Sequence, residues 1–333
     1  MKKRILTGIR PTGPLHLGHY AGMLQLTASL QDEYDTFFMI ADVQALTDNF
    51  DNPQKVKDNI LEVLCDCIAA GIDPQKTTIF LQSEVREIAE LTLYLANLVT
   101  INRLERNPTV KAEIAQKKEL FGKGGVTYGF LGYPVNQAAD ITIFDADLVP
   151  VGEDQAPQVE QTRELVRKFN SIYGPVLREP DIKLSEIPRL SGLDGNAKMS
   201  KSLGNAVYLG DEDQTILDKV KQGKTDPAKI HKDSPGNPDI CQIYSYHSLF
   251  NTPAAPTVYE ECSTGKRGCV DCKKELSCAL SDLIKPLREK RTALYQDQQK
   301  TLDILRAGTK KARSVAAGVM DRVRASMKLD ILS

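Results

Sequence analysis

The sequence predicts an α/β protein: a Rossmann-type, doubly wound parallel sheet with a C-terminal all-helical domain. Three observations carry that expectation. Short β-rich runs alternate with helical patterns through the first half, strand-like runs stop after about residue 205, and apolar residues recur at helical spacing beyond it. Such alternation favours parallel strands joined by crossover helices on both faces, with ligands at the carboxyl ends of the strands.

Residues 5–9 read as the first buried strand, 17–31 as a helix and 36–41 as the second strand. A helix over 53–70 is opened by Pro53 and closed by Gly71. Residues 77–81 form a third strand, 84–104 a helix, 147–151 a late strand, and about 154–171 a further helix. In the second half Leu276, Leu280, Leu283, Ile284 and Leu287 recur at helical spacing, as do Ala312, Val315, Ala316, Val319, Val323 and Met327. Residues 122–125 are the most flexible-looking stretch of the first domain. The implied division is a catalytic domain over 1–190, a mobile loop over 191–205, and a helical domain over 206–333 whose last helix could pack back on the first.

The 333 residues carry 43 basic and 44 acidic side chains, with 41% apolar and 26% charged residues. That balance excludes wholesale disorder and fibrous structure. No run of about 18 apolar residues exists to span a membrane. The N-terminal apolar run stops at Thr7 and Gly8, short of the roughly 7–15 residues a secretory signal needs, which points to a cytoplasmic protein. Seven cysteines are too few for a disulfide scaffold and suggest inert thiols or a metal site. Residues 1–190 hold 20 basic and 26 acidic side chains, and residues 191–333 hold 23 and 18. The asymmetry marks either a polyanion partner for the second half or ordinary scatter of surface charge.

Two motifs carry chemistry. The first strand runs into His16-Leu17-Gly18-His19 at the start of a helix. Both imidazoles then lie near the helix's positive end, a setting that suits phosphate oxygens, and Gly18 lets a flat ring approach the backbone. Alone, H-x-G-H could equally be two surface histidines. The second motif, Lys198-Met199-Ser200-Lys201-Ser202, sits in a Gly-flanked loop at the domain junction. Its lysines can bring flexible point charges to a phosphate chain, although a solvated loop would look similar. Together the two motifs make coincidence improbable.

The pair resembles the signatures of the class I aminoacyl-tRNA synthetases. Tyr133-Pro134-Val135-Asn136-Gln137-Ala138-Ala139-Asp140-Ile141 and Val149-Pro150-Val151-Gly152-Glu153-Asp154-Gln155, with Leu104-Glu105-Arg106 and Lys111, look like the tryptophanyl branch. The resemblance is specific over about residues 4–205 and continues to the C-terminus only as a helical pattern. It implies ATP- and Mg2+-dependent activation of L-tryptophan to the adenylate, then transfer to tRNA(Trp), by a homodimer. It assigns His16, His19, Lys198, Lys201 and Lys111 to catalysis on the phosphates. Arg10, Thr12, Gly18, Gly152, Asp154, Met199 and Ser200 would hold ATP, with Gly152 admitting the ribose. Asp140 would accept the indole N–H, Tyr133 and Gln155 would bind the α-ammonium, and Leu6 and Ile141 would wall the pocket. Gln137 stands where some relatives carry an apolar residue, and many tryptophanyl enzymes have Asn in place of His19, another hydrogen-bond donor. Outside the motif, Asp140 could also be a helix cap or a surface carboxylate.

Cys241, Cys262, Cys269 and Cys272 follow C-x20-C-x6-C-x2-C, a credible ligand set whose alternative is four unligated thiols. Ligand count alone fits zinc or iron–sulfur. A subset of bacterial tryptophanyl enzymes has a similar pattern holding a [4Fe–4S] cluster, so the resemblance favours iron–sulfur. Lys266 and Arg267 inside the cluster, with Lys219, Lys221, Lys224 and Lys229, then form an expected phosphate-facing basic surface. Cys65, Cys67 and Cys278 read as buried apolar residues. Leu91, Leu95 and Leu98 form one helical stripe that could be a dimer interface or plain core. The rival readings are a tyrosyl-tRNA synthetase, a small nucleotidyltransferase, and a synthetase-like RNA-binding protein without charging activity. The Val149–Gln155 run opposes the first; the second loop motif, with a helical domain of this size, opposes the second. The intact His16, His19, Lys198 and Lys201 oppose the third.

Overall fold

The structure, a computed structural model, describes residues 2–184, 190–195, 199 and 204–331, with the side chains of 118, 120 and 123 also left out. The chain forms two compact units, each assembled from separated stretches. One comprises Met1–Gly13, Met23–Ile187 and Asp297–Ser333; the other comprises Pro14–Gly22 and Pro188–Gln296. Among the described residues no helix is long and apolar enough to cross a membrane.

The first unit is built on β1 (Arg4–Ile9), β2 (Asp35–Ile40), β3 (Thr77–Leu81), β4 (Leu148–Val151) and β5 (Asp181–Leu184). Their order is β3-β2-β1-β4-β5 and every pairing is parallel. The chain therefore starts in the middle of the sheet and winds outward both ways, so its topological switch point, where such sheets bind ligands, falls at the carboxyl ends of β1 and β4. Strands of a parallel sheet are covered on both faces, and all of β2 beyond Asp35 is buried accordingly. Phe144 stacks on Phe37 at 5.1 Å and meets Phe80 in a tilted contact at 4.8 Å between ring centres, giving the core an aromatic centre.

The structure differs from the sequence expectation in several places. β5 was not anticipated, because Asp181 and Lys183 interrupt a run of only four residues at the sheet edge. The helix expected over 17–31 begins at Leu17 and ends at Leu30, but widens into a π-helical turn over Tyr20–Leu24. The helix expected over 84–104 is two, Glu87–Ala96 and Ile101–Glu105. Thr100 starts the second by accepting from the Arg103 amide at 3.3 Å, a competition with the backbone that ends the first helix early. Leu91, Leu95 and Leu98 are buried in the unit's own core. No element was assigned between 105 and 146, yet Asn107 caps a helix over Pro108–Gln116 and Thr127 caps one over Tyr128–Thr142.

The C-terminal helix Gln298–Ser326 belongs to this first unit. Its expected stripe is buried at Ala312, Ala316, Val319 and Val323, and half-buried at Val315 and Met327. It covers the edge strand β3: a Cβ on Gly308 would lie 1.9 Å from the Ile79 carbonyl oxygen, so only glycine fits there. The next residue, Thr309, accepts from the Leu81 amide at 3.1 Å, pairing an edge donor that would otherwise face outward.

The second unit contains the helices Asp213–Gln222, Gln242–Phe250, Ala255–Ser263 and Cys269–Gln296. Leu276, Leu280 and Ile284 are buried in it, while Leu283 and Leu287 are half-buried. Cys278 is exposed, contrary to expectation, because two residues from Leu276 is more than half a turn around the helix. Cys65 and Cys67 are buried as expected, in a helix end enclosed on all sides from Val63 to Ala69.

Candidate active site

In the first unit, Tyr133, Gln137 and Asp140 follow one another at four- and three-residue spacing on the helix Tyr128–Thr142 and so share a face. Asp140 is fully buried. The Gln82 side-chain amide donates to both its oxygens, at 2.8 and 3.0 Å, and to Asn136 at 3.2 Å. Gln82 itself follows β3 directly and is fixed by accepting from the Gln44 amide at 3.0 Å. Burial pushes the Asp140 carboxyl up to about 7; the Gln82 donor opposes that and the Asp42 charge adds to it. Gln137 presents a buried side-chain carbonyl oxygen with no hydrogen-bond partner among the described residues. Leu6 and Ile141 are buried in the main core.

The Tyr133 hydroxyl accepts from the Gln158 amide at 2.8 Å. Burial, with the nearby Glu113 charge disfavouring the ionised form, holds the phenol proton on well above its ordinary range. Thr109 donates to the Asp154 carbonyl at 2.8 Å, and Gln155 donates to the Asp154 carboxylate at 3.4 Å. A Cβ on Gly152 would sit 3.0 Å from that carboxylate, so the absence of a side chain keeps this turn open. Arg10 donates to both Asp48 oxygens at 3.1 and 3.2 Å, and Lys117 donates to one at 2.6 Å. Burial alone would raise the Asp48 carboxyl, but these two cations outweigh it and hold it below its ordinary value. Thr12 is half-buried and its amide bonds the Arg10 carbonyl at 2.9 Å. Lys111 is exposed on the helix Pro108–Gln116.

In the second unit, His16 caps its own helix: its Nδ1 accepts from the Gly18 amide at 3.1 Å. His19 Nδ1 accepts in return from the His16 amide at 3.2 Å, and the two rings lie 3.8 Å apart. A Cβ on Gly18 would approach the His16 ring to 3.0 Å and the Met199 sulfur to 3.6 Å. The Leu17 amide bonds the Val207 carbonyl and the Leu209 amide the Leu15 carbonyl, each at 2.9 Å. The first signature is thus stitched to the chain a few residues beyond the second. Lys198, Ser200 and Lys201 lie outside the described residues.

The same unit holds the four cysteines. Cys241 and Cys272 are buried, Cys262 and Cys269 half-buried, and none is in a disulfide. Burial pushes the Cys272 thiol up to about 12, and the other three cysteines are close enough for their charge to act on it. Among the described residues no three His, Cys, Asp or Glu side chains are grouped as a metal-ion site. Four soft sulfurs in one unit are the donor chemistry of a thiolate-held group, although the described side chains are not gathered as its ligands. The expected basic surface is not formed by all its members. Arg267 pairs with Glu261 at 2.7 Å and also with Glu275, which withdraws it from solvent phosphates. Lys219 pairs with Asp211 at 2.6 Å, Lys221 with Asp218 at 3.3 Å, and Lys229 is buried on the Ser234 carbonyl.

Three residues were missed by sequence reasoning. Gln82 had a signal, its place at the carboxyl end of a strand, and Asn107 had the Asn-Pro helix-start pattern. Gln158 had none, because an amide inside a long helix reads as surface.

A parallel sheet wound outward from β1, an H-x-G-H turn after β1 and the motif residues above define a class I aminoacyl-tRNA synthetase. A family described as "tRNA synthetases class I (W and Y)" matches residues 1–285. Tryptophan–tRNA ligase of Clostridium longisporum is 48% identical over 336 residues, covering 99% of this chain and 98% of that protein. The structure of tryptophanyl-tRNA synthetase from Campylobacter jejuni, complexed with ADP and tryptophan, matches with a TM-score of 0.86 at 30% identity, covering 98% of this chain and all of that one. Tyrosyl-tRNA synthetase from Archaeoglobus fulgidus shares the fold, with a TM-score of 0.70 at 22% identity, covering 87% of this chain and 90% of that one. The chain belongs to the class I tRNA synthetases for tryptophan and tyrosine, on the tryptophanyl side.

Proposed function

We propose that this chain is the enzyme its relatives' names describe, a tryptophan–tRNA ligase. It joins L-tryptophan to ATP as the adenylate, releases pyrophosphate, and passes the tryptophanyl group to tRNA(Trp). The observation that carries the choice of amino acid is the buried Asp140 carboxylate, held on both oxygens by Gln82 within the tryptophanyl motif. A site built to pair a polar group can reject analogues lacking it by about 10⁴–10⁵, because its buried acceptor is otherwise unmatched.

In the first step a carboxylate oxygen of tryptophan attacks the α-phosphorus, and the bond to the bridging oxygen breaks. Charge builds on the departing pyrophosphate, so fixed donors and cations supply most of the acceleration. In this reading His16 and His19 donate to phosphate oxygens, and Lys198, Lys201 and Lys111 bear on the leaving group; Mg2+ bound with ATP would supply further positive charge there. Arg10, Thr12, Gly18, Met199 and Ser200 complete the ATP site, with Gly152 and Asp154 at the ribose. Tyr133 and Gln155 accept from the ammonium, Leu6 and Ile141 wall the indole, and the unpaired Gln137 oxygen offers a further acceptor.

Cys241, Cys262, Cys269 and Cys272 are proposed to hold a [4Fe–4S] cluster, with zinc the alternative. The group would cross-link their segment rather than enter the reaction. We also propose a homodimer in the cytoplasm. Leu91, Leu95 and Leu98 do not form its interface, since they pack inward. ATP–pyrophosphate exchange run with tryptophan and with tyrosine tests the activity. Exchange with tryptophan alone is the expected result, and exchange with neither amino acid would restore a non-charging RNA-binding protein.

A further inference from the structure

We infer that Asn107 and Gln158 are positioning residues: they set which way the Tyr133 hydroxyl points and tie it to the helix that carries Lys111. The inference rests on the reading of Tyr133 as an ammonium ligand. Asn107 is fully buried, as are Gln158 and Gln161. Its side-chain oxygen caps the helix Pro108–Gln116, accepting from the Thr109 and Val110 amides at 3.0 and 3.4 Å. That use of the oxygen fixes the amide's orientation and turns its nitrogen toward the helix Ala156–Tyr173. There it donates to Gln161 at 2.7 Å, to Gln158 at 3.3 Å and to the Pro157 carbonyl at 3.4 Å.

Because the Gln158 carbonyl accepts from Asn107, its nitrogen faces the other way and donates to the Tyr133 oxygen at 2.8 Å. A hydroxyl that accepts from Gln158 must aim its own proton away from that side chain. The chain of donors runs from Asn107 through Gln158 to Tyr133, so it has one direction. A phenol has one proton to give and can accept more than one hydrogen bond. With one lone-pair direction taken by Gln158 and the proton turned away from it, Tyr133 keeps a second acceptor direction, the polarity an ammonium group needs. Thr109 bonds the Asp154 carbonyl from the same helix, so this helix contacts two parts of the proposed site while carrying Lys111. The side-chain nitrogen of Gln161 has no partner among the described residues, so the fixed part of the circuit is the two links that reach Tyr133.

The test compares binding of L-tryptophan with binding of 3-indolepropionate, which lacks the ammonium group, in the full chain. The protein contains no Trp, so indole fluorescence reports the ligand alone. Gln158→Met keeps volume and removes the relay; Asn107→Asp keeps the capping oxygen and removes the donor. Each is expected to reduce the preference for tryptophan over indolepropionate by about tenfold or more while leaving indolepropionate binding within about twofold. Tyr133→Phe should do the same, and adding Gln158→Met to it should cost little more, since Gln158 acts through that hydroxyl. Additive losses in the double variant, or an unchanged preference in both Gln158→Met and Asn107→Asp, would overturn the inference. An unchanged preference in Tyr133→Phe alone would remove Tyr133 from the ammonium site, and the inference with it.

Discussion

The side-chain nitrogen of Gln82 lies 2.8 and 3.0 Å from the two carboxylate oxygens of Asp140, so the end of β3 fixes an acid borne by a distant helix. That donor favours the ionised carboxyl in a place where burial disfavours it. Replacing Gln82 by Leu should lower kcat/KM for tryptophan in pyrophosphate exchange by about 10- to 100-fold, roughly 1.4–2.7 kcal/mol. The midpoint of the acid limb of the pH profile should also move upward. A normal kcat/KM with an unmoved limb would mean that Asp140 does not depend on Gln82.

Asp140 also makes stability depend on pH. Its carboxyl is raised to about 7 in the fold, against an unfolded value near 4. Below about pH 4 both states hold the proton and the group has no net effect. As pH rises toward 7 the unfolded chain ionises while the folded one keeps its proton, so folding loses stability, on the order of 4 kcal/mol in full. Asp140→Asn removes this dependence. Its stability relative to the parent should therefore improve between pH 5 and pH 8 by a few kcal/mol, read from urea midpoints at both values. The same carboxylate as indole acceptor predicts that Asp140→Ala loses at least about 10²-fold in kcat/KM for tryptophan. A pH-independent stability difference would show that the acid is ionised throughout.

Much of the fold was legible because apolar periodicity is local. β1 to β4 and the C-terminal stripe at Ala312, Ala316, Val319 and Val323 each declare themselves within a few residues. β5 was not, since two of its four residues are charged and its partner β4 lies some thirty positions away. The motif residues at His16, Tyr133 and Asp140 were legible by resemblance. Their partners Gln82 and Gln158 were not, because what matches them is a hydrogen bond across the fold rather than a spacing along the chain. Arg267 shows the reverse error: its charge suggested a ligand, and Glu261 and Glu275 had already taken it.

Gly308 offers a test of packing. A Cβ there would meet the Ile79 carbonyl oxygen at 1.9 Å, and β3 cannot retreat without breaking its ladder with β2. Gly308→Ala should gain a few tenths to about 1 kcal/mol from helix propensity and lose several times that to the clash. Thermal unfolding should fall by several degrees, with the Thr309 bond to Leu81 lost as the helix lifts. An unchanged melting temperature would mean the helix does not press on the strand.

Gly18→Ala probes the first signature. The added methyl would stand 3.0 Å from the His16 ring, closer than most real contacts, so the ring must turn from its hydrogen bond to the Gly18 amide. On the proposed role of His16 at the phosphates as charge leaves, kcat should fall by about tenfold or more while KM for tryptophan changes little. A rise confined to the tryptophan KM would place the histidine at the amino acid instead.

The cysteines of the second unit make the last prediction. A Cβ on Gly236 would come within 2.9 Å of the Cys262 sulfur, so the loop closes tightly over that thiol. His247 is buried, with Nε2 3.1 Å from the Cys272 carbonyl and 3.4 Å from its sulfur, and Asn251 lies 3.0 Å from Nδ1. Arg267 and Lys229 bring positive charge near Cys272 and Cys262 respectively, which would ease the four negative charges that thiolate ligands carry. Protein purified without oxygen should therefore contain about four iron atoms per chain and an iron–sulfur visible spectrum, or about one zinc if the centre is a single ion. Cys272→Ser should lower the bound metal and make residues 236–272 more open to proteolysis, because the cross-link that fixes the loop is gone. The metal-free parent, prepared with a chelator, should show the same proteolytic pattern. Finding neither iron nor zinc in fresh protein would leave four buried or half-buried thiols held apart from one another by the helices alone.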